Sequence, residues 1–310
     1  MNEYKGIYLA FLTAIISGFA IFLNKFAVSA WSNSSVFTAA KNLIAAAFLV
    51  SLIFLLRKLP ELKTLSKKQW LLLAAIGLIG GSVPFLLFFR GLTLTLASSA
   101  AFIQKTLFIW VALMALPFLK EKISSLQFLA LGIILVGIYL LKPLGNFRFG
   151  YGELLILLAT FLWAIESIIA KFALRNISAL TVGSARMFFG SFFLLFYLFL
   201  AGDLGQLFVF SWIKIEWLII SGAVLFGYVF AWYSALKFAP ATVVSAILVI
   251  AAPITLLLDS IFVTHRLATL PLIPMVMITI GVLFFTKFLA RFKLFLQKKF
   301  HYDRRIADVC

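Results

Sequence analysis

The sequence predicts an all-α integral membrane protein with ten transmembrane helices, arranged as two five-helix repeats of inverted topology. Three observations predict it: the composition, ten long apolar runs and an internal repeat. Of the 310 residues, 64% are hydrophobic and 12% are charged, and the mean hydropathy is +1.15. Soluble domains are typically about 45–50% apolar and about 25% charged. This chain therefore has more apolar surface than a water-soluble fold can bury.

Ten apolar runs of about 20 residues, the length that crosses a bilayer, are separated by charged or turn-forming segments. The first run lacks a compelling small-residue cleavage site, so we interpret it as a retained membrane helix and not as a signal peptide. The short alternating segments of a β-barrel are absent from the sequence. We number the runs as spans 1 to 10, at 6–27, 35–56, 70–90, 97–117, 124–142, 152–173, 180–201, 214–236, 241–263 and 270–290.

The Lys and Arg residues predict the orientation. With the N-terminus inside, 18 of the 27 fall on the inner face and 6 on the outer face, while Lys41, Lys105 and Arg186 fall inside spans. Because inner loops carry the basic excess, both termini are predicted to be cytoplasmic, in a bacterial or archaeal cytoplasmic membrane. The net charge of +17 would hold the loops and the tail at 291–310 against anionic lipid headgroups. Since this charge sits in short loops, we expect no nucleic-acid partner.

Metal and cofactor chemistry is not expected. The single cysteine is Cys310, and the two histidines, His265 and His301, are far apart in the sequence. Neither a disulfide within the chain nor a cysteine-based metal site is possible with one cysteine. The sequence also has no Walker motif, which argues against an ATP-driven pump.

Segments of the first half recur in the same order in the second half. Because each half carries five spans, an odd number, the second half enters the membrane from the opposite side. Inverted repeats are typical of transporters that expose a midplane site alternately to the two faces. The matches are 22–28 with 168–174, 38–49 with 183–194, 69–81 with 216–228, and Gly137 with Gly281, and they pair Lys41 with Arg186 and Gly80 with Gly227.

The chain resembles the EamA family of the drug/metabolite transporter superfamily. The resemblance rests on the "KFA" ends of spans 1 and 6, the basic residues early in spans 2 and 7, and "LPFLKEKISSLQFLALGIILVGIYL" at the end of the first half. It implies one repeat at 5–145 and a second at 150–290. In the family an acidic residue follows the fourth span of each half. Glu121 fills that place in the first half, whereas His265 stands there in the second.

Lys105 is the most unexpected residue of span 4. It lies about eight residues into the span, roughly 12 Å along the helix, and Gln104 adds polarity at the same depth. A charge inside a span marks a pathway or a partner. We predict that Lys105 and Gln104 contact the substrate; the alternative is a structural ion pair. The aligned residue of the second half is the apolar Val249.

Glu166 in span 6 is the natural counter-charge, and its repeat mate is Ala20. A carboxylate in apolar surroundings favours its protonated form unless a cation stabilises the charge. Paired with Lys105 it would stay charged, and separated from it by a conformational change it would take up a proton. This predicts a proton-coupling site; the alternatives are a static salt bridge or an interaction with Lys171.

Lys41 and Arg186 occupy equivalent places in inverted halves, one expected towards the outer leaflet and the other towards the inner. Each is predicted to meet an anionic substrate in one access state; the alternative is anchoring at helix starts. Trp163, Tyr228 and Trp232 are predicted to line the pocket, although aromatic side chains within spans also serve ordinary packing. Hinges or close helix contacts are expected at Pro84, Pro253, Gly80 and Gly227.

Together these features predict a secondary active transporter of a small polar metabolite, not an enzyme, working by alternating access. Three intramembrane cations against one clear carboxylate favour a substrate with a carboxylate, with amino acids first and export implied by the resemblance. A carrier of phosphorylated or nucleoside-like solutes is the second reading. A non-transporting scaffold or a lipid-processing membrane enzyme is the rival from another class, although the spans hold no cluster of His, Cys or carboxylates.

Overall fold

The structure is a computed structural model that describes residues 2–95, 97–141, 149–209, 211–265 and 271–286. All regular structure within these ranges is helical. The predicted tail at 291–310 lies outside the described residues. The α-helices are α1 (Asn2–Ser29), α2 (Ser34–Leu55), α3 (Leu59–Thr64), α4 (Lys67–Gly81), α5 (Val83–Leu94), α6 (Ala97–Lys105), α7 (Leu107–Met114), α8 (Ser125–Leu141), α9 (Tyr151–Ala173), α10 (Ala179–Ala201), α11 (Trp212–Phe238), α12 (Ala241–Leu248), α13 (Ala251–Phe262) and α14 (Leu272–Phe285), with a π-helical turn at Ala115–Leu119 and a 3₁₀ turn at Leu204–Phe208.

The all-helical membrane fold is confirmed. Within the described ranges, eight helical segments of at least 18 residues are long and apolar enough to cross a membrane, and two shorter apolar helices, α8 and α14, occupy spans 5 and 10. Spans 1, 2, 6, 7 and 8 are the single helices α1, α2, α9, α10 and α11. Spans 3, 4 and 9 are each broken into two helices, α4–α5, α6–α7 and α12–α13. The short helix α3 lies between spans 2 and 3.

The breaks in spans 4 and 9 fall at repeat-equivalent positions. In span 9, Pro253 has no N–H for the carbonyl of Val249 four residues earlier, and the N–H of Ala252 donates to that carbonyl instead, at 3.0 Å. In span 4 the hydroxyl of Thr106 donates to the carbonyl of Ile103 at 2.6 Å, a local bond that competes with the helix ladder. The two halves therefore reach the same break by different chemistry.

Spans 5 and 10 pack through two equivalent glycine–isoleucine contacts. A Cβ on Gly137 would lie 2.8 Å from Cγ1 of Ile278, and a Cβ on Gly281 would lie 2.7 Å from Cγ1 of Ile134. Residues 137 and 281 are 144 positions apart, as are 134 and 278. Each glycine receives the isoleucine of the other helix, which is the signature of a pseudo-two-fold axis between inverted repeats.

Spans 3 and 8 repeat this arrangement against spans 7 and 2. A Cβ on Gly77 would collide with Cβ of Phe189, and a Cβ on Gly222 would lie 2.7 Å from Cβ of Ile44. Gly77 and Gly222 are 145 positions apart in the sequence, as are Ile44 and Phe189. The small residues let the backbones approach closely, as expected for helix contacts within a membrane.

The two halves are interleaved. Helix α1 packs along α11, α9 packs on α4 and α5, and α10 packs on α2 and α4, so that these contacts all join one half to the other. The interior therefore lies between the repeats, where spans 2, 3, 6, 7 and 8 meet.

Glu61 in α3 ties the first half to the start of span 7. One carboxylate oxygen of Glu61 accepts from the N–H of Ser178 at 2.7 Å, and the other accepts from the hydroxyl of Thr181 at 3.0 Å. The hydroxyl of Ser178 also caps α10 by accepting from the N–H of Thr181 at 3.2 Å. The first N–H groups of α10 are thus satisfied partly by the other repeat.

Candidate functional site

The centre of the molecule is organised by a backbone group. Pro84 has no N–H to donate to the carbonyl of Gly80, four residues earlier, and helix α4 ends just after it at Gly81. The carbonyl of Gly80 instead accepts from the indole N–H of Trp163 at 3.1 Å and from Nη2 of Arg186 at 2.9 Å. The break in span 3 therefore gives side chains of spans 6 and 7 a shared buried acceptor.

Arg186 is 4% exposed. Its guanidinium lies 5.8 Å from the ring centroids of both Phe85 and Tyr233. Apart from the bond to Gly80, its Nε and Nη1 atoms are buried without a hydrogen-bond partner among the described residues. Leaving a buried donor unpartnered typically costs about 1–3 kcal/mol, and Arg186 therefore retains unused capacity to bind an anion.

Glu166 lies beside Gly80 and is 2% exposed. The hydroxyl of Tyr233 donates a hydrogen bond to its Oε1. A Cβ on Gly80 would lie 2.9 Å from Cδ of Glu166 and 3.1 Å from Nε of Arg186. Glycine at this position therefore leaves the room that both charged groups occupy.

Glu166 and Arg186 are neighbours without being a contact ion pair. Their nitrogen and oxygen atoms do not come within the 4.0 Å of a contact ion pair, whereas those of Lys25 and Asp259 do, at 2.9 Å. The expected pairing of Glu166 with Lys105 is not formed in this conformation. The hydrogen-bond partner of Glu166 is instead Tyr233, because Tyr233 lies on span 8, which packs into the centre beside span 7.

Lys41 is 2% exposed and surrounded by phenyl rings. Its Nζ lies 5.0 Å from the ring centroid of Phe37, 5.7 Å from that of Phe85 and 4.8 Å from that of Phe89. Cation–π contacts of this kind contribute more when they are desolvated. Phe85 is in contact with both Lys41 and Arg186. The two equivalent cations, expected near opposite leaflets, thus flank one ring at the centre of the molecule.

Asn42, the residue after Lys41, contacts the backbone at the same break in span 3. The amide of Asn42 donates from Nδ2 to the carbonyl of Gly81 at 2.9 Å, and its Oδ1 is buried without a partner in the described part of the chain. We call Lys41, Trp163, Glu166, Arg186 and Tyr233, together with the Gly80 carbonyl, the central cluster. Every side chain in it is buried, so this conformation closes the cluster from both faces.

The predicted aromatic residues surround the central cluster. The ring of Trp163 contacts those of Phe85 and Phe88, with centroids 5.3 and 5.5 Å apart. Tyr228 and Trp232, one turn apart on span 8, stack with centroids 6.1 Å apart and an interplanar angle of 11°. Large flat apolar faces thus lie close to the charged groups.

Lys105 and Gln104 lie at the end of α6, where span 4 breaks. Lys105 is 6% exposed and has neither a hydrogen bond nor an ion pair with any described residue. Gln104 is half-buried. The structure does not bring either residue into contact with Glu166, so their predicted role in substrate contact stays a prediction.

The four predicted hinge and packing residues differ in surroundings. Pro84 and Pro253 lie beside the breaks of spans 3 and 9, and Gly80 is packed against the central cluster. Gly227 is not packed equivalently, because a Cβ there would meet Ile16 at an ordinary 3.6 Å.

The sequence interpretation left several members of the site without a role. No role was assigned to Tyr233, Asn42 or Phe85 from the sequence. Asn42 carried a usable signal as a second polar residue beside Lys41 in an apolar run. Pro84 carried another, since a proline within a span frees the carbonyl four residues before it.

Comparisons with known proteins agree with this architecture. The model of the EamA-like transporter family matches residues 4–142 and 150–287. An uncharacterized transporter of Methanothermobacter thermautotrophicus (strain Delta H) is 24% identical over 144 residues, 44% of this chain and 42% of that protein. The match thus spans less than half the length of this relative. One crystal structure superposes with a TM-score of 0.75 over 90% of this chain and 94% of its own at 13% identity, which indicates a shared fold.

Proposed function

The chain belongs to the EamA-like transporter family and is an integral membrane transporter, and on that premise we propose that it exports amino acids bound at the central cluster. Transport is secondary and proceeds by alternating access between the two repeats. The single observation that carries the substrate assignment is the buried guanidinium of Arg186, with Nε and Nη1 unpartnered among the described residues.

The carboxylate of the substrate is assigned to Arg186. A guanidinium offers two edges with parallel N–H groups that match the two oxygens of a carboxylate, Nε with Nη2 and Nη1 with Nη2. The bond to Gly80 uses one hydrogen of Nη2, and Nε and Nη1 are both free, so one edge of Arg186 stays available for a carboxylate. Lys41 and Lys105 are also buried without an ion pair to any described residue, which adds to the surplus of positive charge. An anionic substrate group would satisfy these cations at a lower cost than leaving them unpaired.

The ammonium and the side chain of the substrate are assigned to the other members of the site. Glu166 supplies the only carboxylate of the central cluster and lies beside Arg186 across Gly80. A zwitterion whose two charges face Glu166 and Arg186 then places its side chain against aromatic faces. Trp163, Tyr228 and Trp232 favour aromatic or otherwise apolar amino acids.

Glu166 is also proposed as the proton-coupling residue. Tyr233 donates to it and Arg186 lies near it without direct contact, so a small movement of span 6 against spans 7 and 8 changes its surroundings. Glu166→Gln should abolish the response of transport to a pH gradient, while Glu216→Gln, an exposed control, should retain it. A coupled response in Glu166→Gln removes this residue from the mechanism.

Reconstitution into liposomes tests the function. Labelled amino acids should cross the membrane, and Arg186→Gln should weaken their apparent affinity about 10- to 100-fold, since hydrogen bonds to charged groups contribute about 1.5–3 kcal/mol. Arg90→Gln, the same change at an exposed residue of α5, is the matched control. Flux of phosphorylated or nucleoside-like solutes in place of amino acids would contradict the substrate assignment.

The orientation is proposed from the basic excess on the face where α1 begins, with both termini in the cytoplasm. The single cysteine gives a direct test because Cys310 is near the C-terminus. A membrane-impermeant maleimide should leave Cys310 unlabelled in intact cells and label it in inside-out vesicles. Labelling in intact cells would reverse the orientation.

A further inference from the structure

A cavity of about 760 Å³ lies at the face where α1 begins. It is bounded by the ends of α9 and α11 and by the segments that precede α8 and α12. Its charged lining consists of Glu3, Glu121, Lys171, Arg175 and Lys237. Nothing in the assignment of the central cluster uses these residues.

The carboxylate of Glu121 directs its hydrogen bonds to the start of α12 and forms no contact ion pair with the described basic residues of the cavity. Its Oε1 accepts from the N–H of Ala241 at 2.7 Å, and its Oε2 accepts from the N–H and the hydroxyl of Thr242 at 3.1 and 2.8 Å. This carboxylate thus satisfies the first N–H groups of a helix from the other repeat.

Lys171 and Lys237 occupy the same place in two of the three copies of the tripeptide Lys-Phe-Ala, at 171–173 and 237–239. Nζ of Lys171 donates to the carbonyl of Leu236 and, at 2.7 Å, to that of Ala239. Nζ of Lys237 donates to the carbonyl of Ile177 at 2.9 Å. Lys171 therefore reaches from span 6 to the C-terminal end of span 8, and Lys237 reaches from span 8 to the segment between spans 6 and 7, so that the two lysines join span 8 to span 6 and the segment that follows it.

This junction lies next to the central cluster. Lys237 follows Tyr233 by four residues on α11, which places both on one helix face about 6 Å apart along the axis. Lys171 follows Glu166 by five residues on α9. Along their helices, the two lysines therefore lie about 6–8 Å from Tyr233 and Glu166 of the central cluster.

We propose that this cavity is an entry vestibule in which an anionic group of the substrate binds Lys171 and Lys237 before it reaches the central cluster. The anion is a carboxylate if the proposed function holds. Binding takes the two ammonium groups away from the carbonyls of this junction, and so loosens the closure between the vestibule and the cluster. The plainer role, capping of helix C-termini by lysine, requires no ligand.

Thiol-reactive probes test the vestibule without any knowledge of the substrate. The background is Cys310→Ser, which removes the only cysteine, with Leu119→Cys in the cavity wall. Rates are measured with the anionic 2-sulfonatoethyl and the cationic trimethylammonioethyl methanethiosulfonates, each divided by its rate with a free thiol in solution. The anionic reagent should be favoured roughly 10-fold, because a basic cleft concentrates anions.

The variants decide which residues cause the preference. The double variant Lys171→Gln/Lys237→Gln should lose the preference for the anionic reagent. The double variant Lys171→Arg/Lys237→Arg, which keeps both charges, should retain that preference. Arg175 is exposed and makes no hydrogen bond to a carbonyl in the described structure. Arg175→Gln should therefore lower the preference for the anionic reagent without weakening the fold. Lys58→Gln with Lys63→Gln, on the same face outside the cavity, is the matched control and should leave it unchanged.

Equal rates for the two reagents, or a preference that survives Lys171→Gln with Lys237→Gln, would overturn the vestibule. Flux of L-phenylalanine is measured in parallel. Intact flux without the anionic preference refutes the vestibule and leaves the proposed function standing. The anionic preference without amino-acid flux supports the vestibule and refutes the amino-acid assignment.

Discussion

Nη2 of Arg186 donates a hydrogen bond of 2.9 Å to the carbonyl of Gly80. This bond joins span 7 to span 3 and exists because Pro84 denies that carbonyl its helical partner. The orientation of the main cation of the site thus depends on a backbone break in the other repeat. A relative movement of the repeats that changes the break also changes what Arg186 can bind.

Pro84→Ala should weaken substrate affinity about 10-fold or more, since it restores an N–H that competes with Arg186 for the carbonyl of Gly80. The measurement is the KM of flux, with the thermal midpoint in detergent as a check on folding. Pro60→Ala, in the short helix α3 outside the spans, is the control. An unchanged KM together with an unchanged midpoint would show that the break does not position Arg186.

Gly80→Ala should abolish transport, because its Cβ would lie 2.9 Å from Cδ of Glu166 and 3.1 Å from Nε of Arg186. Overpacking of this kind typically costs about 1–3 kcal/mol of stability. Gly227→Ala is the comparison at the position aligned by sequence, where the new Cβ meets only ordinary contact at 3.6 Å. We expect wild-type flux from Gly227→Ala; equal losses in both variants would refute the steric explanation.

Gly137→Leu and Gly281→Leu should destabilise the protein by similar amounts, since each glycine receives an isoleucine of the other helix. Gly132→Leu is the control on α8, where no heavy atom lies within 4 Å of an added Cβ. Thermal unfolding in detergent measures all three. A large effect of only one of the two glycines would show that the packing of spans 5 and 10 is not symmetric.

Glu61 makes stability depend on pH at the face where α1 begins. Burial raises the pKa of its carboxyl, but hydrogen bonds from Ser178 and Thr181 and the charge of Lys58 outweigh it and lower the pKa below its ordinary value. Because the folded-state pKa is the lower one, the stabilisation is present above the unfolded-state pKa and is lost as the pH falls through the folded-state pKa.

Glu61→Gln should therefore lower the thermal midpoint at neutral pH and reduce its decline on acidification. The expected loss is about 1 kcal/mol, since the carboxylate is partly exposed and an intramolecular hydrogen bond typically contributes about 0.5–1.5 kcal/mol. Glu216→Gln, at an exposed residue, should preserve the wild-type pH profile. A wild-type profile in Glu61→Gln would show that this carboxylate does not hold α10.

The sequence was sufficient for the spans and the repeats because both rest on composition and order. It also identified Lys41, Glu166 and Arg186 as charges that a membrane interior rarely carries. This conformation does not pair Glu166 with Lys105, and depth along a span does not say which neighbouring span a side chain meets. Tyr233 takes part through the packing of span 8, which is a tertiary contact that no local pattern encodes.

Equilibrium binding to purified protein tests the central claim most directly, that Arg186 holds the carboxylate of the substrate and Glu166 its ammonium. The ligands are L-phenylalanine, its amide, which lacks the carboxylate, and 3-phenylpropionate, which lacks the ammonium. We predict that wild type prefers L-phenylalanine, that Arg186→Gln no longer discriminates against the amide, and that Glu166→Gln no longer discriminates against 3-phenylpropionate. Unchanged discrimination in both variants would contradict the account.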